Sequence, residues 1–223
     1  MAYDIALSEL ERDALTELVN IGVSRAAASL RKMVGEQVLL TVPSVDVMSR
    51  QAAATLVGER EADGLVAVQQ TFDGVFSGRA LLIFPEASSL ALVRAVAGSD
   101  LSGDDLVDIE NEALAETGNV VLNGCLATMA NMLQRSLTLS LPQVLRGDGP
   151  GLFATDGTDQ RDGLVLFLYI NFSIRHRDIR GYIAMLMDVP SLAALKVLVG
   201  DFIQRVTAEP ERGPSGLPSP APA

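Results

Sequence analysis

The sequence predicts a mixed α/β domain of the α+β type, built as a pseudo-twofold repeat in which each half runs helix–three strands–helix. Three observations predict it. The first is a polar pattern that occurs twice: Asp13, Glu17 and Asn20 with Pro43 downstream, and Glu112, Glu116 and Asn119 with Pro142 downstream. Glu17 to Glu116, Asn20 to Asn119 and Pro43 to Pro142 are one and the same step of 99 residues. A step kept at three places marks an internal duplication. The second is that both copies lie in long stretches of helical apolar periodicity, each followed by three apolar runs of strand length. The third is the short link between the last two runs of each half, which makes their pairing antiparallel.

The elements follow in order. A helix is expected over 8–34, with Ser8 as N-cap, Glu11 completing a capping box, and Gly35 as the stop. A strand is expected over 38–47. Pro43 lies inside it, which implies an edge or a bulge. Residues 49–63 read as a loop with a helical turn. Strands over 65–72 and 75–84 meet at Asp73-Gly74, a tight-hairpin signal. A helix opens at Pro85 or Glu86 and runs to Ala97. After the acidic junction 99–105 the order repeats: a helix over 106–135, a strand over 137–145 containing Pro142, and a Gly- and Asp-rich mobile loop over 147–163. Strands over 164–174 and 178–188 come next, with Gly181 at the place Gly78 holds in the first half. A helix starting at Pro190 ends near Gly200 or shortly after. One domain, 1–207, is expected from the two repeats at about 8–98 and 106–206. Residues 208–223, rich in proline, are expected to be a disordered tail. Each half alone would expose too much apolar surface, so the halves are expected to share one sheet.

On a helix with about 100° per residue, Asp13, Glu17 and Asn20 fall within roughly 60° of one another. Leu15, Leu18, Val19, Gly22, Ala26 and Met33 lie opposite. In the second copy Glu112, Glu116, Asn119 and Asn123 share one face, while Leu114, Val121, Cys125 and Met132 share the other. The acid–amide face is therefore expected to point at solvent or a partner. It continues into small residues, Ser24, Ala27 and Ala28 in one copy and Ala127 and Ala130 in the other, which let another surface come close.

Composition narrows the function. The net charge of −11 argues against nucleic acid and anionic lipid, whose binders need a basic footprint. No uncharged apolar run is long enough for a membrane span. The N-terminus has no signal-peptide pattern. The single cysteine, Cys125, allows no intramolecular disulfide and reads as a buried packing thiol. Together these point to the cytoplasm.

The repeated pattern, [Asp/Ser]-x3-Glu-x2-Asn-x22-Pro, resembles the signature of the CheC/CheX/FliY family of chemotaxis phosphatases. Two copies in a short chain resemble CheC above all. The expectation is a CheC-like chain without the C-terminal flagellar-switch domain that FliY adds. The resemblance covers residues 8–206 and implies a continuous antiparallel sheet with the two motif helices side by side on one face.

The residues themselves limit the chemistry. No nucleophile stands beside a base, and the only histidine, His176, falls at an expected hairpin turn. There is no nucleophile-elbow or phosphate-loop pattern. A di-metal bundle needs Glu-x-x-His, and asparagine stands at that place, so no metal of its own is expected. An amide is no base at neutral pH, but it can hold a water in line for attack, as the water-positioning glutamine of GTPases does. Such a site needs a partner that brings the phosphoryl group, Mg2+ and the charge clamp.

The resemblance supplies that partner: a phosphorylated CheY-like response regulator of two-component signalling. It implies that Asn20 and Asn119 enter beside the phospho-aspartate and orient the hydrolytic water. Glu17 and Glu116 would pair with the regulator's lysine, and Asp13 and Glu112 would support them. Mg2+ would come with the regulator. Glu112 departs from the family's Asp or Ser, so the two sites are expected to differ. The receptor deamidase CheD is a second partner the family implies, with 86–97 or 191–199 as candidate surfaces. A non-catalytic adaptor that binds CheD or a regulator is the alternative reading.

Overall fold

Ser8 caps the first helix as its sequence dictates: its hydroxyl accepts from the Glu11 N–H, and the Glu11 carboxylate accepts from the Ser8 N–H. Gly35 ends the helix in the left-handed region at φ 73°, where glycine has no steric penalty. The computed structural model describes residues 6–35, 37–61, 64–97, 106–154, 163–174 and 177–208. The elements are α1 Glu9–Val34, β1 Val38–Thr41, β2 Val45–Ser49, α2 Arg50–Arg60, β3 Leu65–Gly74, β4 Gly78–Pro85, α3 Glu86–Ala97, α4 Leu106–Met132, β5 Leu137–Leu139, β6 Gln143–Gly147, α5 Gly149–Leu152, β7 Leu164–Ile174, β8 Arg177–Met187 and α6 Val189–Ala208. His176, the junction 99–105 and the proline-rich stretch from 209 onward lie outside the described residues.

The strands form one antiparallel sheet in the order β1-β7-β8-β4-β3-β5, with β2 also on β7 and β6 also on β3. The expected shared sheet is present, and its halves are interlaced. The first two strands of the first half lie on the hairpin of the second half; those of the second half lie on the hairpin of the first. Gly78 and Gly181 stand 103 residues apart, as do Leu81 and Ala184, and Leu81 and Ala184 face each other across β4 and β8. Equivalent residues opposite one another mark the pseudo-twofold axis. A Cβ on Gly78 would lie 2.9 Å from the Phe72 ring, and one on Gly181 2.9 Å from the Phe84 ring. Each glycine thus leaves room for a core phenylalanine.

Three layers result. α1, α3, α4 and α6 cover one face through Leu15, Leu18, Leu92, Leu122, Leu126 and Leu195 against Val66, Val68, Leu82, Leu168 and Ile183. α2 and α5 cover the other through Ala53, Val57, Leu152 and Phe153 against Leu81, Phe167 and Ala184.

Four expectations change. Residues 49–63 form a full helix, α2, capped by Ser49; its buried side is mostly alanine, so its apolar period is faint. The strand expected over 38–47 is two strands broken at Val42-Pro43-Ser44, and the one over 137–145 breaks likewise at 140–142. Asp73-Gly74 is not the turn. Both residues stay in β3 and pair with Thr138 and Leu137, while the connection to β4 follows at 75–77 and buries Phe76. Part of the loop expected over 147–163 is α5, with Asp148 as its N-cap.

Candidate functional site

Each motif helix is pinned near its N-terminus to a strand of its own half. On α1, Arg12 meets Asp46 of β2 at 3.1 Å. On α4, Glu110 meets Arg146 of β6 at 2.9 Å, and the same guanidinium donates to Asn111 at 2.7 Å. The duplication keeps the tie and reverses its polarity. Glu110 is buried, whereas both members of the first pair are substantially exposed.

α1 and α4 cross in direct contact. A Cβ at Gly22 would fall 2.8 Å from Cys125 Cα and 2.8 Å from the Gly124 carbonyl oxygen. One at Gly124 would fall 3.0 Å from Ala26 Cβ. Glycine at these places sets how closely the two helices, and so the two motif faces, approach. The implied side-by-side motif helices are therefore present. Cys125, at this crossing, is fully buried, and burial pushes its thiol up to about 12.

Asn20 is not simply outward. It is half-buried, and its Nδ2 donates to the Val42 carbonyl at 2.8 Å while its Oδ1 accepts from the Val42 N–H at 2.8 Å. The reason lies in the sequence. Pro43 has no N–H and breaks the ladder, and Val42, held extended before it, is buried. Its backbone polar groups need partners, and a primary amide offers a donor and an acceptor in the geometry of a peptide. The 22 residues between Asn20 and Pro43 thus bring the helix back past the strand break.

Asn119 lies in a different setting. It too is half-buried, but its Oδ1 accepts from Asn123 Nδ2 at 2.8 Å and from Gln70 Nε2 at 3.2 Å. Leu141, which corresponds to Val42, is 85% exposed. α4 sits hard against the sheet here: a Cβ on Gly118 would meet the Val68 side chain. Gln70 is buried at 1% exposure and also donates to the Ser140 carbonyl at 2.9 Å. Ser140 completes the bridge over the strand break, its N–H donating to the Thr71 carbonyl at 3.0 Å and its Oγ accepting from the Thr71 N–H at 2.9 Å.

The carboxylates behave otherwise. Asp13, Glu17, Glu112 and Glu116 are all exposed, and no ion pair or hydrogen bond ties them among the described residues. Beyond Asn20 the face is small as expected at Ser24 and Ala28, while Ala27 and Ala130 are buried. Met33, assigned to the core side, is 38% exposed. Among the described residues no cluster of three or more His, Cys, Asp or Glu side chains could hold a metal ion, and no helix is long and apolar enough to cross a membrane.

The structure therefore keeps each Glu–Asn pair on one helix, exposes the glutamates and ties the asparagines inward. Gln70 escaped the sequence reading. Its one signal is a polar interruption of the apolar run that begins at Leu65.

No family model matches the chain. It is 25% identical over 207 residues to the flagellar motor switch phosphatase FliY of Bacillus subtilis, covering 92% of this chain and 52% of that protein. The chain thus spans about half the length of that relative. It is 22% identical over 202 residues to the CheY-P phosphatase CheC of Bacillus subtilis, covering 87% of this chain and 96% of that one. Among solved structures, FliY of Thermotoga maritima superposes with a TM-score of 0.69 at 16% identity, over 88% of this chain and 98% of that one. A FliG–FliM complex of H. pylori gives 0.61 at 13% identity, over 86% and 100%. These two likenesses extend to the fold. With the twice-kept motif on paired helices and the shared sheet, the chain is similar to the CheC-type proteins among these relatives.

Proposed function

We propose that the protein is a phosphatase for a CheY-like response regulator and that its motif faces act on the regulator's aspartyl phosphate. One observation carries the reading. The Asn20 amide is held by two backbone hydrogen bonds on a rigid helix, one turn from an exposed, unpaired Glu17. Each of those bonds uses half of what the group offers. One N–H and one oxygen lone pair stay uncommitted, fixed in direction by the grip on Val42.

An amide so held would accept a hydrogen bond from a water and turn the water's lone pair toward phosphorus. The water oxygen attacks, the P–O bond to the aspartate breaks, and the aspartate leaves as carboxylate with inorganic phosphate as the other product. The proton leaves with phosphate or solvent. Glu17, and Glu116 on the other helix, would dock a lysine of the regulator through a charge-assisted pair. Asp13 and Glu112 would add to the same negative field. The regulator supplies Mg2+; catalysis is positioning, with no covalent intermediate on this chain. The relative named as a CheY-P phosphatase supports the substrate class.

The test is the decay of a CheY-type receiver charged with acetyl phosphate, with this protein in catalytic amount. Wild type, Asn20→Ala, Asn119→Ala and the double variant are compared. Faster decay with wild type and none with the double variant supports the reading. Undiminished acceleration by a folded double variant overturns it.

A further inference from the structure

We infer that Gln70 is a positioning residue that makes the two motif sites chemically unequal: it occupies the carbonyl oxygen of Asn119, so that the second site offers donors where the first offers a donor and an acceptor. This rests on the phosphatase reading above and deepens it.

The two asparagines are equivalent in sequence and differ in what they have left to give. Asn20 spends one donor and one lone pair on Val42. Asn119 accepts twice at Oδ1, from Asn123 and from Gln70. An amide oxygen has two lone pairs, so the acceptor of Asn119 is full, and its Nδ2 donates to nothing among the described residues. A water placed for in-line attack is best held by an acceptor, which receives a hydrogen bond from one of its O–H groups and leaves a lone pair for phosphorus. A donor-only amide suits phosphoryl oxygens instead and grips the substrate.

Gln70 is the source of the difference. Where β3 passes the strand break of the second half it puts Gln70 under α4. Where β7 passes the break of the first half, the residue facing the same helix layer is the buried Ile170. Gln70 directs its Nε2 to Asn119, to the Ser140 carbonyl and, at 3.4 Å, to Asn123. Its own Oε1 is buried with no hydrogen-bond partner. A lone buried carbonyl is costly, so Gln70 is not explained as a stability device. The arrangement serves the orientation of the asparagine it touches.

The experiment isolates the second site. Receiver decay at saturating charged receiver is measured for wild type, Asn20→Ala, Asn20→Ala/Gln70→Leu, and that double variant with Asn119→Ala added, alongside thermal unfolding of each. Leucine copies the apolar character of Ile170 and removes the unpaired carbonyl, so folding should be kept. Gln70→Met repeats the test should leucine fail to fold. The expected result is that Gln70→Leu raises the turnover left in Asn20→Ala by roughly fivefold, the worth of one net hydrogen bond, and that Asn119→Ala abolishes the gain. A folded Asn20→Ala/Gln70→Leu protein with turnover equal to or below that of Asn20→Ala, while wild type is active, overturns the role of Gln70 and leaves the phosphatase reading standing. A wild type that speeds no decay overturns both.

Discussion

Asn20 holds Val42 by both ends of its backbone, N–H to oxygen and carbonyl to nitrogen, each at 2.8 Å. Two duties therefore meet in one side chain. Asn20→Ala should lower stability by about 1–3 kcal/mol, because a buried N–H and C=O lose their partner. That is a fall of roughly 3–10 °C in thermal midpoint for a chain of this size. Asn119→Ala should cost less, since no backbone group of the strand break depends on it. Thermal unfolding of the two variants checks this; equal losses would contradict the unequal grip.

The crossing of α1 and α4 depends on glycine. Gly22→Ala puts a methyl against the backbone of Cys125 and Gly124, and neither can move without its helix. The expected cost is about 1–3 kcal/mol of overpacking, with the motif faces displaced and turnover reduced. Gly58→Ala is the control. Nothing lies within 4 Å of its Cβ in helix α2, so helix propensity alone should stabilise the protein by about 0.5–1 kcal/mol. Denaturant midpoints of the two variants should move in opposite directions.

The two helix-to-strand ion pairs should differ in worth. Asp46→Ala removes an exposed pair worth about 0–1 kcal/mol, fading with added salt. Arg146→Met strands the buried Glu110 carboxylate and should cost more, about 1–3 kcal/mol, with little response to salt. Unfolding at low and high ionic strength separates the cases. Equal costs for the two variants would refute the distinction.

Cys125 should resist thiol reagents in the folded protein. Burial raises its thiol to about 12, so the thiolate is scarce at pH 8, and the residue has no exposed surface. Ellman's reagent should titrate no thiol in buffer and one in denaturant. Rapid labelling in buffer would show that the helix crossing opens readily.

Much of this was legible because it is local. Ser8, Glu11 and Gly35 mark the ends of α1 by chemistry within a few residues, and the 99-residue step needed only counting. The strand Leu164–Ile174 matches its expected bounds, and the helix Glu86–Ala97 starts at one of its two expected residues, for the same reason. The features that escaped depend on distant partners. Asn20 looks solvent-facing on a helical wheel because the wheel cannot show Val42 arriving from the strand break. Gln70 has no sequence mark of its role, since Asn119 and Ser140 reach it from far along the chain. The helix α2 was missed for another reason: Ala53 and Ala54 bury too little apolar surface to print a clear period.

The interlaced sheet has a consequence for how the chain is made. β1 and β2 have their hydrogen-bonding neighbour in β7, more than a hundred residues later. On the ribosome, the first repeat must emerge with that edge unpaired and wait until residues 164–174 are synthesised. Non-local pairing of this kind slows folding, and open strand edges invite wrong partners in the interval. A nascent chain halted between the repeats should therefore be protease-sensitive across 38–49, and either repeat expressed alone should associate through its exposed edge rather than remain a folded monomer.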